Sequence, residues 1–398
     1  MKAVIAGGGI GGLTAALCLD HFGIDTVVLE AAPELGEVGA GIQISPNAMK
    51  VFEALELDAA LAEQAFRPEG IELRMGISGR KLIRTPLGDV AQARWGSPYL
   101  HIHRADLISV LRDALDERAA GALQLGAMVE SYTQTGTGVT AHLAGGDTVD
   151  ADVLIGADGI HSRIRAQMLG PDAPEFTGNV AWRATVPVAQ LGADVPAPLA
   201  TAWMGRGKHA VTYLLKGGEL ANLVAVVERD DWTQESWSEL GSRAEALADF
   251  AGWHPVVTRL IEETGSLYRW ALFDRPPLAT WVDGRTALLG DAAHPMLPFQ
   301  AQGAAMAIED GWAVAAKLAK DSAIIPDALQ AYQDMRKPRA TRVQASSRAN
   351  AKTFHQRTTL GRLATYGPMW LAGRIAPGIG LQRQDQLYSY DVVTHAQA

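Results

Sequence analysis

A glycine-rich turn between two short apolar strands, near the start of the chain, constrains the fold more than any other feature. Residues 3–6 form the first strand, an alanine- and leucine-rich helix follows, and residues 26–29 form a second strand that ends at Glu30. Three glycines in the spacing G-x-G-x-x-G join the first strand to the helix: Gly7, Gly9 and Gly12. This order of elements is typical of a βαβ unit that binds a dinucleotide.

Each part of this unit has a physical reason in nucleotide binding. Glycine permits a tight turn, lets a pyrophosphate approach the backbone, and allows the helix to pack closely on its strand. The helix N-terminus attracts the anion through its N–H groups and its dipole. An acid that binds an adenosine ribose is expected roughly 20 residues after the last glycine, and Glu30 is close to that position. The alternative is a glycine-rich turn with no ligand, but the four features together favour nucleotide binding.

Composition limits the possible classes of protein. The chain has 398 residues, of which 48% are hydrophobic and 20% charged, so it can bury a large core and its length suits two domains. A formal net charge of −9 argues against a nucleic-acid partner. The single cysteine, Cys18, leaves neither a disulfide framework nor a thiolate metal site, which suits a reducing cytoplasm. No secretory leader is expected, and the apolar run 369–381 is too short to span a bilayer.

Two later segments place polar residues directly after apolar strands. Residues 153–155 form a strand that leads to Asp158, and another strand leads to Gly290 and Asp291. A carboxylate that directly follows the end of such a strand lies beside a ligand more often than in a core. Gly303 then opens a helix whose N-terminus is a second candidate anion site.

Residues 174–270 have a different character. They are rich in tryptophan and β-branched residues that alternate along short strands, which predicts an antiparallel sheet in a second domain. Within it, His209, Val211 and Tyr213 point to one face of a strand because successive side chains alternate. If that face lines a cavity, a base and a phenol stand side by side. If it is core, they are satisfied polar groups, and spacing alone favours this second interpretation.

Other polar residues have structural or surface interpretations. His101 and His103 share a strand face, but no third ligand at metal spacing accompanies them, so no metal site is expected. Arg104 follows at a strand-to-helix junction, from which it could reach a phosphate or a carboxylate. The long helix predicted over 326–354 carries basic residues that we interpret as a solvated face: Arg336, Lys337, Arg339 and Arg342.

Several separated motifs share one resemblance. GGGIGG with Glu30, ADGIHSRIR and LLGDAAHPMLPFQAQGAAMAIED resemble the three FAD motifs of the single-component flavoprotein aromatic hydroxylases, the group typified by p-hydroxybenzoate hydroxylase. Four more stretches resemble its salicylate, 3-hydroxybenzoate and 6-hydroxynicotinate branch: GEVGAGIQISPNA, HIHRADL, G-K-H-x-x-x-Y at 207–213, and Y-x-x-x-R-x-P-R-A at 332–340. The resemblance covers most of the chain.

The resemblance implies an α/β fold with a Rossmann-like FAD-binding domain, an interleaved antiparallel-sheet substrate domain and a helical C-terminal region. The expected FAD-binding domain is discontinuous, and the bounds are 1–70, 98–173 and 271–354 for it, 71–97 and 174–270 for the substrate domain, and 355–398 for the C-terminal region. The expected cofactor-binding residues are Gly7, Gly9, Gly12, Glu30, Gly41, Arg104, Asp158, Gly290, Asp291 and Gly303. Among them, the turn glycines and Glu30 would hold the ADP half, and Asp291 would bond the ribityl chain.

The resemblance also implies a reaction. NADH or NADPH would reduce FAD, dioxygen would add to the reduced ring at C4a, and the resulting hydroperoxide would hydroxylate a small phenolic acid of salicylate or hydroxybenzoate type. His209 is the expected base for the phenol, because an unperturbed histidine pKa of about 6.5 suits proton removal near neutral pH. Tyr213 would orient the substrate or relay the proton. Three basic residues are unranked candidates for the substrate carboxylate: Arg183, Arg206 and Lys208.

Some alternatives stay open at this level. Related 6-hydroxynicotinate enzymes carry histidines where Gln43 stands and near Phe299, which disfavours that substrate here. A flavin epoxidase or dehydrogenase of the same fold would act on a non-phenolic substrate, and a non-catalytic FAD-binding interaction protein would not be reduced by NAD(P)H. A monomer and a homodimer are both compatible with the sequence.

Overall fold

The structure is a computed structural model that describes residues 1–36, 41–229, 240–320, 324–376 and 378–397. Part of the glycine-dense loop predicted around 36–41 therefore lies outside the described residues.

The strands are β1 (Lys2–Ala6), β2 (Asp25–Leu29), β3 (Gly41–Ile44), β4 (Gly70–Met75), β5 (Lys81–Pro86), β6 (Leu100–His103), β7 (Leu123–Gln124), β8 (Val129–Gln134), β9 (Val139–Leu143), β10 (Thr148–Ala151), β11 (Val153–Gly156), β12 (Glu175–Pro187), β13 (Ala200–Gly205), β14 (Lys208–Leu215), β15 (Leu220–Glu228), β16 (Tyr268–Asp274), β17 (Val282–Asp283) and β18 (Thr286–Leu288).

Helices occur along the whole chain and predominate after residue 303. The α-helices are α1 (Ile10–His21), α2 (Pro46–Ala54), α3 (Asp58–Gln64), α4 (Asp89–Trp95), α5 (Arg104–Arg118), α6 (Arg163–Leu169), α7 (Arg243–Asp249), α8 (Pro255–Glu263), α9 (Gly303–Lys320), α10 (Ile325–Phe354), α11 (Thr359–Ile375), α12 (Ile379–Tyr388) and α13 (Val392–Gln397).

The first layer is a six-stranded sheet in the order β17-β18-β11-β1-β2-β7. All its pairs are parallel except β17 with β18, and β1 lies between β2 and β11. Helices α1 and α9 approach each other closely through small residues, since a Cβ on Gly311 would lie 3.0 Å from the backbone nitrogen of Ala15. The expected α/β layer with a parallel βαβ unit is confirmed.

The second layer is a seven-stranded sheet in the order β16-β12-β15-β14-β13-β4-β5. Its pairs are antiparallel as expected, except that β4 runs parallel to β13. One face of this sheet carries Trp182, Ala210 and Leu214 and packs with α7 and α8 in an apolar cluster that includes Phe250. We call it the helix-side face. The opposite face, which carries Arg183, His209, Val211 and Tyr213, we call the loop-side face because it meets the loop before α9.

Short elements join the two layers. Strand β3 pairs with β6, and the N–H of Gly41 donates to Asn222 Oδ1 in the seven-stranded sheet at 2.9 Å. The C-terminal helices pack back onto both layers, since a Cβ on Gly373 in α11 would lie 2.5 Å from the Leu82 carbonyl of β5, and Lys317 Nζ donates to the Ala396 carbonyl at 3.0 Å. The expected domain bounds themselves stay a prediction. No helix within the described ranges has the length and apolarity needed to cross a membrane.

The prediction that the basic residues of the long helix form a solvated face is wrong for two of the four. Arg336 is fully buried and Arg339 is nearly so, whereas Arg342 is exposed. The reason is that α10 packs against α9, where Glu309 and Asp310 receive the two guanidinium groups. A helix pattern alone does not tell which polar side another helix will cover.

Candidate functional site

The glycine turn uses its three glycines in two different ways. Gly7 has a φ of 107°, and a Cβ on it would lie 2.4 Å from the Ala157 carbonyl oxygen. A Cβ on Gly12 would lie 1.9 Å from the Gly7 carbonyl oxygen. A Cβ on Gly9 would meet no atom within 4 Å. The first and last glycines are therefore required by protein packing, and the middle one borders open space at the start of α1.

This open space is suited to the phosphate-bearing part of a dinucleotide. Gly9 is the N-cap of α1 and no side chain caps that helix end, so the first helical N–H groups point towards the space. Glu30 Oε2 accepts from the Gly8 N–H at 2.5 Å and its Oε1 from the Ala32 N–H at 2.8 Å. A carboxylate offers about four acceptor positions, so Glu30 keeps capacity for ribose hydroxyls.

Asp158 lies beside the same turn, at the end of β11. Its Oδ2 accepts from the N–H groups of Arg163 at 2.7 Å and Ile164 at 3.2 Å, which caps α6. Its Oδ1 is buried and has no hydrogen-bond partner among the residues that the structure describes. Burial raises the pKa of Asp158. An unmatched carboxylate oxygen next to Gly7 fits a site that a polar ligand completes.

A second cluster forms where β18 ends. Gly290 has a φ of 59° and its N–H donates to Asp310 Oδ2 at 3.1 Å. The neighbouring Asp291 side chain is exposed, and His294 and Arg104 lie close enough to act electrostatically on its carboxylate. The structure therefore brings Arg104, at the start of α5, close to the carboxylate of Asp291, which belongs to the third of the FAD-like motifs.

Buried ion pairs hold this cluster in place. His294 Nε2 lies 2.5 Å from Asp310 Oδ2, and Arg336 Nε donates to Asp310 Oδ1 at 2.7 Å. Burial alone would raise the pKa of Asp310, but His294 and Arg336 hold it at about 2. The adjacent Glu309 pairs with Arg336 at 2.5 Å and with Arg339 at 2.8 Å. Breaking such a buried pair costs about 3–5 kcal/mol, so this network fixes the loop between β18 and α9.

Sequence reasoning missed Glu309 and Asp310. Both lie within the otherwise apolar stretch 303–316, and two arginines three residues apart follow in the next helix. That combination was the available signal, because two adjacent acids inside an apolar helix require buried cationic partners.

The N-terminus of α9, at Gly303, is held by a polar cluster. Gln302 is buried, and its Nε2 donates to Ser45 Oγ at 3.0 Å while its Oε1 accepts from Asn47 Nδ2 at 3.3 Å. Asn47 also donates to Glu309 Oε1 at 2.6 Å. These bonds orient the start of an 18-residue helix, whose positive end can face an anionic group.

His209 and Tyr213 share the loop-side face but not the same surroundings. The His209 ring lies 5.2 Å from the ring of Phe299, which belongs to the loop before α9. The Tyr213 ring lies 4.7 Å from that of His101, and a Cβ on Gly41 would be 2.6 Å from the Tyr213 ring. Four residues along a strand span about 13 Å, so the two side chains lie at separate positions on this face.

The electrostatics of His209 differ from the expectation. We expected an unperturbed pKa near 6.5, but burial and the nearby His355 lower the pKa of His209 well below that value. Its ring is therefore neutral near neutral pH. His209 Nδ1 lies 2.7 Å from His355 Nε2, a contact with a residue 146 positions away that spacing could not predict. Burial also raises the pKa of Tyr213, and the charge of Arg183 opposes this.

The three candidate partners for a substrate carboxylate lie in different places. Arg183 is on the loop-side face, half-buried, with its guanidinium carbon 4.0 Å from the centre of the Trp270 ring. Lys208 is on the helix-side face and donates to the Asp249 carbonyl. Arg206 is exposed in the turn between β13 and β14. Only Arg183 of the three shares a face with His209 and Tyr213.

Among the described residues, no group of three or more His, Cys, Asp or Glu side chains could hold a metal ion. His101 is fully buried, its Nδ1 lies 3.3 Å from the Leu214 carbonyl, and burial lowers its pKa to about 3. This histidine is a neutral packing residue against Tyr213.

The chain belongs to the FAD-binding domain family, whose model matches residues 1–347. The expected cofactor is thereby confirmed, and the turn glycines, the unmatched Asp158 oxygen and the exposed Asp291 carboxylate fit it.

Curated relatives narrow the class to monooxygenases. The chain is 38% identical to 3-amino-4-hydroxybenzoate 2-monooxygenase of Streptomyces platensis over 89% of its length and 88% of the relative. It is 38% identical to 6-hydroxynicotinate 3-monooxygenase of Pseudomonas fluorescens over 88% of its length and 91% of the relative. A solved salicylate hydroxylase with its substrate is 29% identical, with a TM-score of 0.83 over 100% of this chain and 97% of that one. The protein is an FAD-dependent monooxygenase of the aromatic hydroxylase group, as expected.

Proposed function

We propose that this protein hydroxylates a small phenolic acid of salicylate or hydroxybenzoate type, with NADH or NADPH and dioxygen as co-substrates. The observation that carries the proposal is the loop-side face of the seven-stranded sheet. There a buried neutral histidine, His209, contacts Phe299 of the loop that precedes α9, and a half-buried arginine, Arg183, lies on the same face of the sheet. A base and a cation on one apolar wall match the hydroxyl and the carboxylate of such an acid.

His209 is the proposed base. A phenol becomes electron-rich at its ring carbons when it loses its proton, so a base at the hydroxyl promotes attack by an electrophilic oxygen. A neutral imidazole can accept that proton, and burial keeps His209 neutral. The rings of Phe299 and Phe354 lie 5.2 Å from it and keep water away from the reacting groups.

Arg183 is the proposed anchor for the carboxylate. Its guanidinium can make two parallel hydrogen bonds to a carboxylate, which sets the orientation of the ring as well as its affinity. Stacking on Trp270 fixes the plane of the guanidinium. Tyr213, whose pKa is influenced by Arg183, is the proposed residue that orients the substrate.

The remaining predicted residues have proposed roles at the cofactor. Gly9 and the start of α1 would hold the pyrophosphate, Glu30 the ribose, and Asp291 with Arg104 the polar chain between the adenosine and the flavin ring. When bound, FAD supplies the activation of dioxygen. The start of α9 at Gly303 would stabilise negative charge on the reduced ring.

The names of the relatives support the choice of substrate class. They describe enzymes acting on an aminohydroxybenzoate, a hydroxynicotinate and salicylate. These compounds share an aromatic ring with a carboxylate and a hydroxyl group, which is the pair of groups that Arg183 and His209 would bind. In this chain Gln43 accepts from the Tyr99 hydroxyl at 2.6 Å, so it offers no base there and a hydroxybenzoate is preferred over a hydroxynicotinate.

The test is the aerobic oxidation of NADH and NADPH by the purified holoprotein with salicylate, 3- and 4-hydroxybenzoate, hydroxynicotinates and kynurenine. We expect at least one phenolic acid to accelerate the oxidation and to yield a hydroxylated product. Acceleration by none of them, or peroxide as the sole product, would contradict the proposal and favour a non-phenolic substrate. Absence of flavin reduction by either nucleotide would favour a non-catalytic interaction protein.

The proposal includes a cytoplasmic location and a monomer or homodimer. Support for the location is the single cysteine, Cys18, which is buried and free. Support for a homodimer is a row of exposed apolar residues on α11: Leu360, Leu363, Leu371 and Ile375. Light scattering of the holoprotein distinguishes the two states, and Leu363→Glu should convert a homodimer into a monomer if this row forms the contact.

A further inference from the structure

A chain of hydrogen-bonding groups leads from His209 to the protein surface. His209 Nδ1 lies 2.7 Å from His355 Nε2, and His355 Nδ1 lies 3.1 Å from Glu228 Oε1. Glu228 Oε2 accepts from Arg357 Nε at 2.5 Å. Both histidines are buried, the Glu228 side chain is 23% exposed and the Arg357 side chain is 69% exposed. The groups thus form one path from the interior of the sheet to solvent.

We propose that His355 and Glu228 form a proton relay that carries the substrate hydroxyl proton from His209 to solvent. This inference rests on the proposed function, in which His209 is the base. It assigns roles to two residues outside the cofactor motifs: His355 at the end of α10, and Glu228 at the end of β15.

The geometry fixes which nitrogen of each ring carries a proton. Glu228 as a carboxylate can only accept, so His355 Nδ1 carries a proton and donates to it. In neutral His355 the Nε2 is then an acceptor, and His209 Nδ1 must donate to it. Neutral His209 consequently has its lone pair on Nε2. The carboxylate thus sets, through His355, the tautomer in which His209 is ready to accept a proton.

A relay also explains how His209 can act as a base although burial disfavours its protonated form. Burial lowers the pKa of His209 well below its usual value, so His209 by itself holds a proton poorly. Burial lowers the pKa of His355 as well, and Glu228 opposes that decrease. A proton that moves on to a carboxylate near solvent does not have to stay on either buried ring.

In the proposed transfer, one proton enters the relay from the substrate and one proton leaves the relay to solvent. The substrate O–H gives its proton to His209 Nε2, the proton on His209 Nδ1 passes to His355 Nε2, and the proton on His355 Nδ1 passes through Glu228 to water. The substrate becomes a phenolate, and both rings stay neutral in the opposite tautomer. The same steps in reverse return a proton to the product phenolate and restore both tautomers.

A surface cavity gives the relay its outlet. It has a volume of about 470 Å³ and is lined by Glu228, His355 and Arg357 among others. The charged groups around it are Glu228 from β15, Arg357 after α10, Arg348 and Lys352 from α10, and Asp274 from β16, which pairs with Arg348. Since the cavity is open to water, small solutes can reach the position of His355 from outside.

The first test compares His355→Gln and Glu228→Gln with wild type on the phenolic acid that supports the fastest hydroxylation. We expect both variants to retain FAD and to bind the acid, while the rate of proton release on binding, measured with a pH indicator after rapid mixing, falls at least about 10-fold. Matched controls are His142→Gln on β9 and Glu63→Gln on α3, which lie away from the path and should behave as wild type. Unchanged proton release in both relay variants would overturn the proposal.

The second test separates a relay from a structural role. His355→Ala removes the ring beside the cavity, so added imidazole should restore proton release and hydroxylation in proportion to its free-base fraction, with no effect on wild type. A purely structural role predicts no rescue by imidazole, and that result would overturn the relay.

The two hypotheses fail in different ways. If wild type hydroxylates a phenolic acid and His355→Gln does so at the same rate with the same solvent isotope effect, the relay is overturned and the proposed function stands. If wild type hydroxylates no phenolic acid in the panel, the proposed function is overturned, and the relay with it.

Discussion

The two faces of the seven-stranded sheet are built from alternate residues of the same strands, yet they satisfy polar groups in different ways. On the helix-side face, Trp182 Nε1 donates to Asp249 at 2.8 Å and Trp203 Nε1 donates to Thr212 at 3.0 Å, so polar groups are paired within the domain. On the loop-side face, His209 is bonded to His355 at the end of α10, and through it to Glu228 near the surface. Polar pairs within the sheet domain stabilise the fold, whereas buried titratable groups that connect to solvent are typical of a functional site.

The comparison predicts that substitutions on the loop-side face change the reaction and those on the helix-side face change stability. His209→Gln should show the largest effect, because general base catalysis contributes about 10²–10⁴-fold. Hydroxylated product formed per second should fall by about that factor, while FAD content and NAD(P)H oxidation persist and peroxide accumulates. A hydroxylation rate equal to that of wild type would remove His209 from the mechanism.

Arg183→Gln should weaken binding of the substrate rather than slow the chemistry. A hydrogen bond to a charged group contributes about 1.5–3 kcal/mol, so KM for a carboxylated phenol should rise by about 10- to 100-fold. KM for the corresponding phenol without a carboxylate should change little. Arg206→Gln, at an exposed position, is the matched control. Equal losses for both substrates would show that Arg183 does not bind the carboxylate.

Thr212→Val tests the helix-side face. The substitution leaves the buried Trp203 Nε1 without its acceptor, at a cost of about 1–3 kcal/mol in the free energy of unfolding. Denaturant unfolding should detect the loss, and hydroxylation per bound FAD should not change. Thr212→Ser retains the hydroxyl and serves as the control. A variant that keeps its stability but loses activity would reverse the assignment of the two faces.

The smallest effect is expected at His101, the neutral packing residue beside Tyr213. Its folded pKa of about 3 lies below its unfolded value of 6.5, so below pH 6.5 the unfolded state binds more protons. His101 therefore contributes stability that is present above pH 6.5 and lost as the pH falls towards 3. Between pH 7 and 5.5 wild type should lose about 1 kcal/mol more than His101→Asn. An equal loss in both would contradict the assignment.

Local patterns were sufficient for the nucleotide half of the protein. The spacing of Gly7, Gly9 and Gly12 with a helix and a second strand predicted the βαβ unit, because tight turns and close packing are set within about thirty residues. Alternation also predicted that His209 and Tyr213 share a face.

The same local patterns could not predict tertiary contacts. The partner of His209 is 146 residues away, and the burial of Arg336 depends on a second helix that covers it. The pKa of His209 was mispredicted because burial of the ring, not its spacing, determines it. Residue roles at the cofactor and the domain bounds stay predictions.

The most direct test of the central claim is the incorporation of isotopically labelled dioxygen by the holoprotein into a carboxylated phenol. Mass spectrometry of the product, with wild type, His209→Gln and Thr212→Val in parallel, reports hydroxylation itself rather than NAD(P)H consumption. The account predicts one labelled oxygen atom per product molecule for wild type and Thr212→Val, and almost no labelled product for His209→Gln. Labelled product from His209→Gln at the wild-type rate, or none from wild type with any phenolic acid, would contradict it.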